Sequence, residues 1–394
     1  MVRKTISGLY ERNGIWHIDK VVKGKRIQES TGASDREEAE RYLIHLLENK
    51  RQESVYGVRS VRTFREAATK YLLECKEEDQ SSIEVTATYL EQADPYIGDL
   101  PITHVDNESL KPFIKYMKTG GKLPSGKPKR PNKNRTVNIA LQRIIRVLNV
   151  SHREYRDDQK RPWLDAVPNI RLLDEQADKR QPYPLTWDEQ RILFDQLSPH
   201  LERMCLFKVN TGCREQEVCK LQWEWEVYVE ELDTSVFIVP PNFGGRKKGS
   251  GVKNGEERVI ILNDVAKSVI DGQRGIHKKW VFPYEGRAIH RMNDTAWDTA
   301  TKAAAKKFLE KFGKPPHPLY ATLRIHDLKH TFGRRLRAVN VGHEDRQVLL
   351  GHKTGSVTTH YSGAELKSLI DAANKISTVN GNTPTLTLLR RKAA

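Results

Sequence analysis

Three Ser/Thr-x-x-Glu patterns, far apart in the sequence, each stand directly before a run of apolar residues at helical spacing. They are Ser34/Glu37, Thr63/Glu66 and Thr186/Glu189. In such a capping box, the hydroxyl and the carboxylate each accept a hydrogen bond from a backbone N–H of the first turn, so the pattern predicts a helix start. Three helix starts so widely spaced in a chain of 394 residues favour several separate units over one continuous core.

The first two predicted units are residues 1–56 and residues 63–178. The first alternates polar and apolar residues and carries turn dipeptides at Asn13-Gly14 and Lys23-Gly24, which predicts three short strands before a helix. The second shows apolar residues at helical spacing, which predicts a helix from Thr63 onward and further helices. These further helices are expected near residues 83–94, 107–119 and 135–157.

The third predicted unit, residues 180–394, follows a polar segment that contains proline. It combines helices with strands near residues 225–229, 235–240 and 257–262, and it ends in a C-terminal tail. The predicted fold class is therefore multidomain α+β. It comprises a small N-terminal three-stranded sheet plus helix, a helical domain, and a mainly α domain with a small antiparallel sheet.

Composition narrows the classes of protein that this chain can belong to. The sequence has no run of 18 apolar residues and no apolar stretch near its N-terminus of the kind found in signal peptides. Its four cysteines form no C-x-x-C pair, so neither a zinc knuckle nor a disulfide framework is indicated. We therefore expect a cytoplasmic protein without a membrane partner.

The net charge of +16 makes a polyanion the first partner to consider, and one segment carries most of it. Residues 111–146 contain eleven Lys or Arg and no Asp or Glu. A solvated loop and helix face is the ordinary explanation for such a run, but phosphates spaced along double-stranded DNA would neutralise it with release of counterions. The predicted DNA-contacting residues are Lys127, Lys129, Arg130, Lys133, Arg135 and Arg143, with Lys23, Lys25 and Arg26 in the first unit.

The octapeptide "LRIHDLKH", residues 323–330, is too polar for an ordinary core segment. His326 and His330 are four residues apart, as in some metal sites, but the glutamate of the zinc protease motif is missing and a lysine stands between them. The sequence also lacks a G-x-S-x-G elbow, a Walker loop and a dinucleotide G-x-G-x-x-G. We therefore expect neither a metal ion nor a cofactor.

Three segments in the third unit resemble the boxes of the tyrosine recombinase (phage integrase) family. They are "NTGCREQEVCKLQW" with Arg214 and Glu217, "IHDLKHTF" with His326 and Lys329, and "LLGHKTGSVTTHYS" with His352 and Tyr361. Each residue has an ordinary alternative when taken singly, such as a surface ion pair for Arg214, a helix cap for His352 or a core position for Tyr361. Three boxes in the family's order are together a specific signal of the family, and the resemblance covers residues 185–376. The order of the predicted units extends the resemblance to the whole chain, which would then have a lambda-integrase-like architecture.

The resemblance implies a catalytic role for six residues. Tyr361 would attack a DNA phosphodiester and form a reversible 3′-phosphotyrosine, a reaction that needs no metal. A free phenol has a pKa of ~10, so the attack requires a base, for which His326 is the family's candidate. Arg214, Lys329 and His352 would stabilise the phosphate oxygens. The family keeps a general-acid lysine in a β-hairpin, where Lys253 fits because an Asn-Gly turn follows it, with Lys247 and Lys248 as rivals.

Lys329 departs from the family pattern H-x-x-R. An arginine can hold phosphate through two parallel hydrogen bonds, whereas lysine offers one compact charge on a flexible stem. Either the site works with lysine, which we favour because every other catalytic position is filled, or the chain binds DNA without cutting it.

The resemblance further implies site-specific recombination by a homotetramer through a Holliday junction, which integrates or excises a mobile element. The first unit would bind arm-type sites, the second and third would surround core DNA, and the C-terminal tail would dock on a neighbouring subunit. DNA-bending and directionality factors are implied as partners. The alternatives are a noncatalytic DNA-binding regulator, a type IB topoisomerase and, more remotely, a membrane-surface protein.

Overall fold

The computed structural model describes residues 7–376 except 23, 57–60, 81, 123–125, 244–256, 293 and 353–361, and it leaves out the side chains of residues 25, 49, 50 and 52–56. The chain divides into two compact units, Met1–Lys179 and Arg180–Ala394. The expected separate roles of residues 1–56 and 63–178 remain a prediction. Among the helices of the described residues, none combines the length and apolar composition of a membrane span.

The first unit opens with the expected antiparallel sheet, in which β1 (Leu9–Arg12) pairs with β2 (Ile15–Val22) and β2 with β3 (Lys25–Ser30). Helix α1 (Arg36–Tyr56) follows. The Ser34/Glu37 box is wrong by one residue, because the backbone N–H of Glu38 donates to Oδ2 of Asp35 at 3.1 Å. Aspartate caps a helix as well as serine does, and in "SDREE" both have a glutamate three residues on.

The rest of the first unit is a helical bundle around one apolar core. Its members are α2 (Phe64–Glu77), α3 (Ile83–Ile97), α4 (Lys111–Thr119) and α5 (Asn134–Arg153), with the two-residue strands β4 (Gly121–Lys122) and β5 (Pro128–Lys129) between α4 and α5. The Thr63/Glu66 capping box is confirmed at the start of α2. Buried Phe64, Leu90, Phe113 and Leu141 come from the four helices and form the centre of the core.

The second unit is mainly helical and includes a three-stranded antiparallel sheet in the order β6-β7-β8, as well as the two-stranded pair β9-β10. The Thr186/Glu189 box is confirmed at the start of α6. The elements are α6 (Trp187–Phe194), α7 (Pro199–Thr211), α8 (Glu215–Cys219), β6 (Glu226–Val229), β7 (Thr234–Val239), β8 (Arg258–Ile260), α9 (Asp264–Asp271), β9 (Pro283–Tyr284), β10 (Arg287–Ala288), α10 (Thr295–Phe312), α11 (Ile325–Ala338), α12 (His343–Leu349) and α13 (Gly363–Asn374). The predicted multidomain α+β class is confirmed.

Helices α7 and α11 pack against each other in the second unit. Phe207 of α7 and Leu328 of α11 belong to its main core. Phe332 and Leu336, further along α11, join a second cluster with Leu366 and Leu369 of α13. Helix α11 therefore passes between two apolar clusters, and the polar octapeptide lies at its start.

Candidate active site and nucleic-acid interface

Arg214 follows a sharp turn at the end of α7. Gly212 ends that helix in the left-handed conformation, with a φ of 63°. A Cβ atom here would lie 2.6 Å from Cδ1 of Phe332, so both the backbone angle and the packing require glycine. The turn places Arg214 immediately before α8.

Glu217 holds both the backbone and the side chain of Arg214. The Arg214 N–H donates to Oε2 of Glu217 at 2.7 Å, and Nη1 donates to Oε1 at 2.9 Å. The other guanidinium nitrogen, Nη2, donates to the carbonyl oxygen of Gly351 at 2.9 Å. Glu217 is only 1% exposed, so this ion pair is not the surface pair that was the ordinary alternative. Burial would raise the pKa of Glu217, but the charge of Arg258 and the hydrogen bonds from Arg214 hold it below its usual value.

Lys329 lies on the buried side of α11, where it donates to two backbone carbonyls. Its Nζ is 2.8 Å from the carbonyl oxygen of Gly212 and also donates to that of Leu350. The residue is 5% exposed. Burial, and then the charges of Arg258 and Arg214, lower the pKa of Lys329 to about 6. In the protein without DNA, the amine therefore loses its proton more readily than an ordinary lysine does.

His352 follows a second glycine turn, after α12. Gly351 has a φ of 58°, and a Cβ atom there would lie 2.5 Å from Nε of Arg258. Nδ1 of His352 lies 2.7 Å from Oε1 of Gln347, which fixes the orientation of the ring. Partial desolvation, followed by the charges of Lys329 and Arg214, lowers the pKa of His352, whose side chain is exposed.

His326 is one turn before Lys329 on α11. Partial desolvation, followed by the charges of Lys208, His330 and Lys329, lowers the pKa of His326 to about 4. The rings of His326 and His330 meet edge to face, with centroids 4.9 Å apart. His326 is therefore neutral at pH 7, which leaves one ring nitrogen able to accept a proton. Among the described residues, no group of three or more His, Cys, Asp or Glu is arranged to hold a metal ion.

Asp327 accounts for the remaining polarity of the octapeptide. It is 2% exposed, and its Oδ2 accepts a hydrogen bond from Nη2 of Arg180 at 2.8 Å. It also accepts from the backbone N–H of Arg324 at 2.9 Å, at the start of α11. Asp327 therefore fixes the beginning of the helix that carries His326 and Lys329.

Two further cations, Arg258 and Lys208, lie beside these residues and were not predicted. Arg258 of β8 forms a buried ion pair with Glu217. Lys208 of α7 is fully buried and donates to the carbonyl oxygen of Cys213, and burial lowers its pKa to about 8. In the sequence, Arg258 begins the apolar run "RVIIL" and Lys208 lies within the apolar run "CLFKV". A charged residue in an apolar run is the sequence signal that could have identified these two buried cations.

Some of the predicted catalytic residues fall in a part of the chain that is not described. Tyr361, Lys253 and the rivals Lys247 and Lys248 lie outside the described residues. The structure therefore brings together Arg214, Lys329 and His352, with His326 one helical turn before Lys329. The roles of all six remain a prediction.

The predicted DNA-contacting residues of the first unit lie in different environments. Lys127 and Arg130 are exposed on the segment before α5. Lys129 instead lies over Tyr116, with Nζ 3.9 Å from the ring centroid, and burial lowers its pKa. Arg143 is half-buried.

Other residues of the set are bonded to acidic residues. Lys133 donates to the backbone carbonyl of Asp178 at 2.9 Å, and Arg135 pairs with Glu175 at 3.2 Å. In the sheet, Arg26 pairs with Asp19 at 2.6 Å. Lys23 and the side chain of Lys25 lie outside the described residues. DNA contact by this set stays a prediction.

Two family models match this chain. The phage integrase family matches residues 186–367, and the phage integrase N-terminal domain matches residues 8–46. The integrase of Salmonella phage P22 is 24% identical over 405 residues, which cover 95% of each chain.

Solved structures share the fold at low identity. A complex of the Tn1549 transposon integrase with a circular intermediate DNA covers 78% of this chain and 99% of its own, at 16% identity and a TM-score of 0.52. A lambda integrase tetramer bound to a Holliday junction covers 91% and 99%, at 14% identity and a TM-score of 0.50.

The sequence matches define the class of this protein, which is that of the phage integrases. The chain belongs to the phage integrase family, the tyrosine recombinases.

Proposed function

We propose that this protein is a site-specific recombinase that cuts and rejoins DNA through Tyr361. The tyrosine oxygen attacks phosphorus, the bond to the 5′ oxygen breaks, and the DNA is held as a 3′-phosphotyrosine until a second 5′ hydroxyl reverses the reaction. Two such exchanges, through a Holliday junction, would integrate or excise a mobile element.

The observation that carries this proposal is the convergence of donors from three separate elements. Arg214 donates to the carbonyl of Gly351, and Lys329 donates to the carbonyls of Gly212 and Leu350. His352 follows Gly351 directly. Fixed donors around one phosphate would stabilise the charge that its oxygens gain in the transition state. Loss of one such donor typically slows a reaction by about 100-fold or more.

The hydrogen bonds of Lys329 suggest how a lysine can serve in this position. A neutral amine has two N–H groups, and the carbonyls of Gly212 and Leu350 accept two hydrogen bonds. An arriving phosphate would raise the lysine pKa, and the proton taken up would supply a third N–H to the phosphate. Lys329 would thus become charged only when DNA is bound.

The remaining proton transfers are assigned by family correspondence. His326, neutral at pH 7, would accept the phenol proton of Tyr361. Lys253 would give a proton to the departing 5′ oxygen, with Lys247 and Lys248 as the rivals. No metal or cofactor takes part in this scheme.

DNA binding and assembly follow the same family plan. Residues 63–178 and the catalytic unit would surround core DNA, and residues 1–56 would bind arm-type sites. The solved lambda integrase tetramer bound to a Holliday junction supports a homotetramer here. DNA-bending and directionality factors would be further partners, by family correspondence alone.

A covalent trapping assay tests the proposal. The substrate is a DNA fragment from the sequence that flanks the gene, with a nick close to the cleavage position. After cleavage, the short piece that carries the free 5′ hydroxyl diffuses away, so the reaction cannot reverse and the protein stays joined to the DNA. We expect a denaturation-resistant adduct with the wild-type protein and none with Tyr361→Phe, the matched control. If no flanking fragment yields an adduct and Tyr361→Phe binds the same DNA as the wild type does, the chain is a noncatalytic regulator, which the lysine at position 329 would explain.

A further inference from the structure

Arg258 makes more contacts in the candidate site than its position in a strand predicts. It begins β8 and is 4% exposed. Its Nη1 donates to Oε2 of Glu217, and its Nη2 lies 3.2 Å from the carbonyl oxygen of Gly212 and 3.3 Å from that of Leu349. One guanidinium therefore contacts three segments of the chain.

Each of these contacts lies next to a candidate catalytic residue. Glu217 binds the backbone and the guanidinium of Arg214, and Gly212 is two residues before it. Leu349 is three residues before His352. The glycine turn at Gly351 passes so close to Arg258 that a Cβ atom there would collide with its Nε. Arg258 therefore touches both loops that carry the phosphate donors, and it touches neither donor's side chain through a described hydrogen bond.

The charge balance argues against a purely stabilising role. Arg214 and Arg258 both pair with a single buried carboxylate, that of Glu217, and the buried amine of Lys208 lies near the same group. Burying a charge is unfavourable unless its partners compensate, and well-packed apolar residues often stabilise a fold equally well. An excess of buried cations is the arrangement expected where the missing negative charge arrives with a ligand.

We propose that Arg258 is a positioning residue for the recombination reaction, which acts through Glu217 and the carbonyls of Gly212 and Leu349 to hold Arg214 and His352 on one phosphate. This inference rests on the proposed function. Arg258 itself does not contact the DNA.

The variant Arg258→Lys tests the role, because it keeps a charge but cannot contact all three segments at once. We expect covalent trapping on the nicked flanking-DNA fragment to slow by about 100-fold, since a small misplacement of a catalytic group has an effect of that order. The equilibrium affinity for the same fragment should stay within roughly threefold, because the exposed cations that govern it are unchanged. A stability effect alone would lower both quantities through the folded fraction.

A double-mutant cycle shows whether Arg258 acts through Arg214. If it does, the double variant Arg258→Lys, Arg214→Lys is no slower than Arg214→Lys alone. If the two effects multiply, Arg258 acts independently and the inference is wrong.

Arg335→Lys is the matched control for the loss of a buried guanidinium. Arg335 is 3% exposed and lies 3.5 Å above the Trp187 ring, away from the residues of the site in its described contacts. It should lower the melting temperature and leave the trapping rate of the folded protein unchanged. Equal slowing by Arg335→Lys and Arg258→Lys would overturn the inference.

Thermal unfolding of each variant is measured first. If Arg258→Lys is unfolded at the assay temperature, Glu217→Gln replaces it, because the amide removes the charge that joins Arg258 to Arg214. Trapping at the wild-type rate by the folded variant would contradict the inference. Absence of any adduct with the wild-type protein would contradict the proposed function itself.

Discussion

The chain carries two concentrations of positive charge, and they differ in what surrounds them. Near the start of α5 in the first unit, Lys127, Arg130 and Arg135 are exposed to solvent. In the second unit, Lys329 and Arg258 are buried and donate to backbone carbonyls. Exposed charges attract a polyanion from a distance and are screened by salt, whereas buried charges act through their geometry and their pKa.

We expect the exposed and the buried cations to make separate contributions to the same reaction. The exposed cations should set how tightly DNA is held and how strongly salt weakens that binding. The buried cations should set how fast the bound phosphate reacts. Variants in the two regions should therefore change different measured quantities.

The largest effect is expected from Arg214→Lys. A lysine cannot keep the two contacts to Glu217 and Gly351 while it also faces a phosphate. We expect the rate of covalent trapping to fall by about 100- to 1,000-fold, with DNA affinity changed by less than about threefold. Equal losses of rate and affinity would show that the buried and exposed cations do not act separately.

Lys329 should give the next largest effect. Lys329→Ala removes both the ammonium and the bonds that join the Gly212 and Leu350 carbonyls, so trapping should slow by about 100-fold. Lys329→Arg restores a charge at the same place and should trap much faster than the alanine variant. If the alanine variant cleaves as fast as the wild type, our assignment of Lys329 is wrong.

The helical periodicity of the sequence indicates that Lys329 is buried, but it does not identify the groups to which Lys329 donates hydrogen bonds. Ile325, Leu328 and Phe332 define the apolar face of α11, and Lys329 falls on that face at helical spacing. The carbonyls that it contacts belong to residues 117 and 21 positions away. Only the tertiary fold brings such groups together, so the sequence predicted a cation in the site and not how it is held.

The basic run illustrates a different limit. No acid occurs between residues 111 and 146, yet Asp178 pairs with Lys118 at 3.3 Å and accepts a hydrogen bond from the backbone N–H of Asn134 at 2.7 Å. Glu175 pairs with Arg135. The acids come from the segment after the helical core, so a count along the sequence overstates the unneutralised charge of this surface.

The pH dependence of DNA binding should distinguish lysine from arginine at position 329. With its pKa lowered to about 6, Lys329 in the DNA-free protein holds fewer protons at pH 7 than it would beside a phosphate. Affinity should therefore fall as pH rises from 6 to 8, by at most about tenfold per pH unit. The arginine variant stays charged throughout this range, so its affinity should change less.

The groups around Lys329 do not reverse this expectation. Glu217, with its pKa held low, stays ionised over this range. His326, His330, His352 and Lys208 all have lowered pKa values, and all four are present in both proteins compared, so they affect both pH profiles. Binding measured at fixed ionic strength checks the prediction, and identical pH profiles for wild type and Lys329→Arg would refute the proton uptake.

The smallest effect is expected on the exposed surface. The double variant Lys127→Ala, Arg130→Ala should weaken binding to the flanking-DNA fragment and reduce the slope of log affinity against log salt by roughly 0.9 for each phosphate that the protein no longer neutralises. At saturating protein, the trapping rate should stay at the wild-type value, because neither residue belongs to the buried cluster.

Lys129→Met is the control within the same segment. Lys129 lies over the Tyr116 ring and donates to the Tyr116 carbonyl at 3.3 Å, so it is held against the protein rather than directed to solvent. Its loss should lower the melting temperature and leave the salt slope unchanged. Lys129→Met could instead alter the salt slope as much as Lys127→Ala does. In that case, lysines of this segment contact phosphate regardless of their burial. Solvent exposure would then not be the property that distinguishes the two groups of cations.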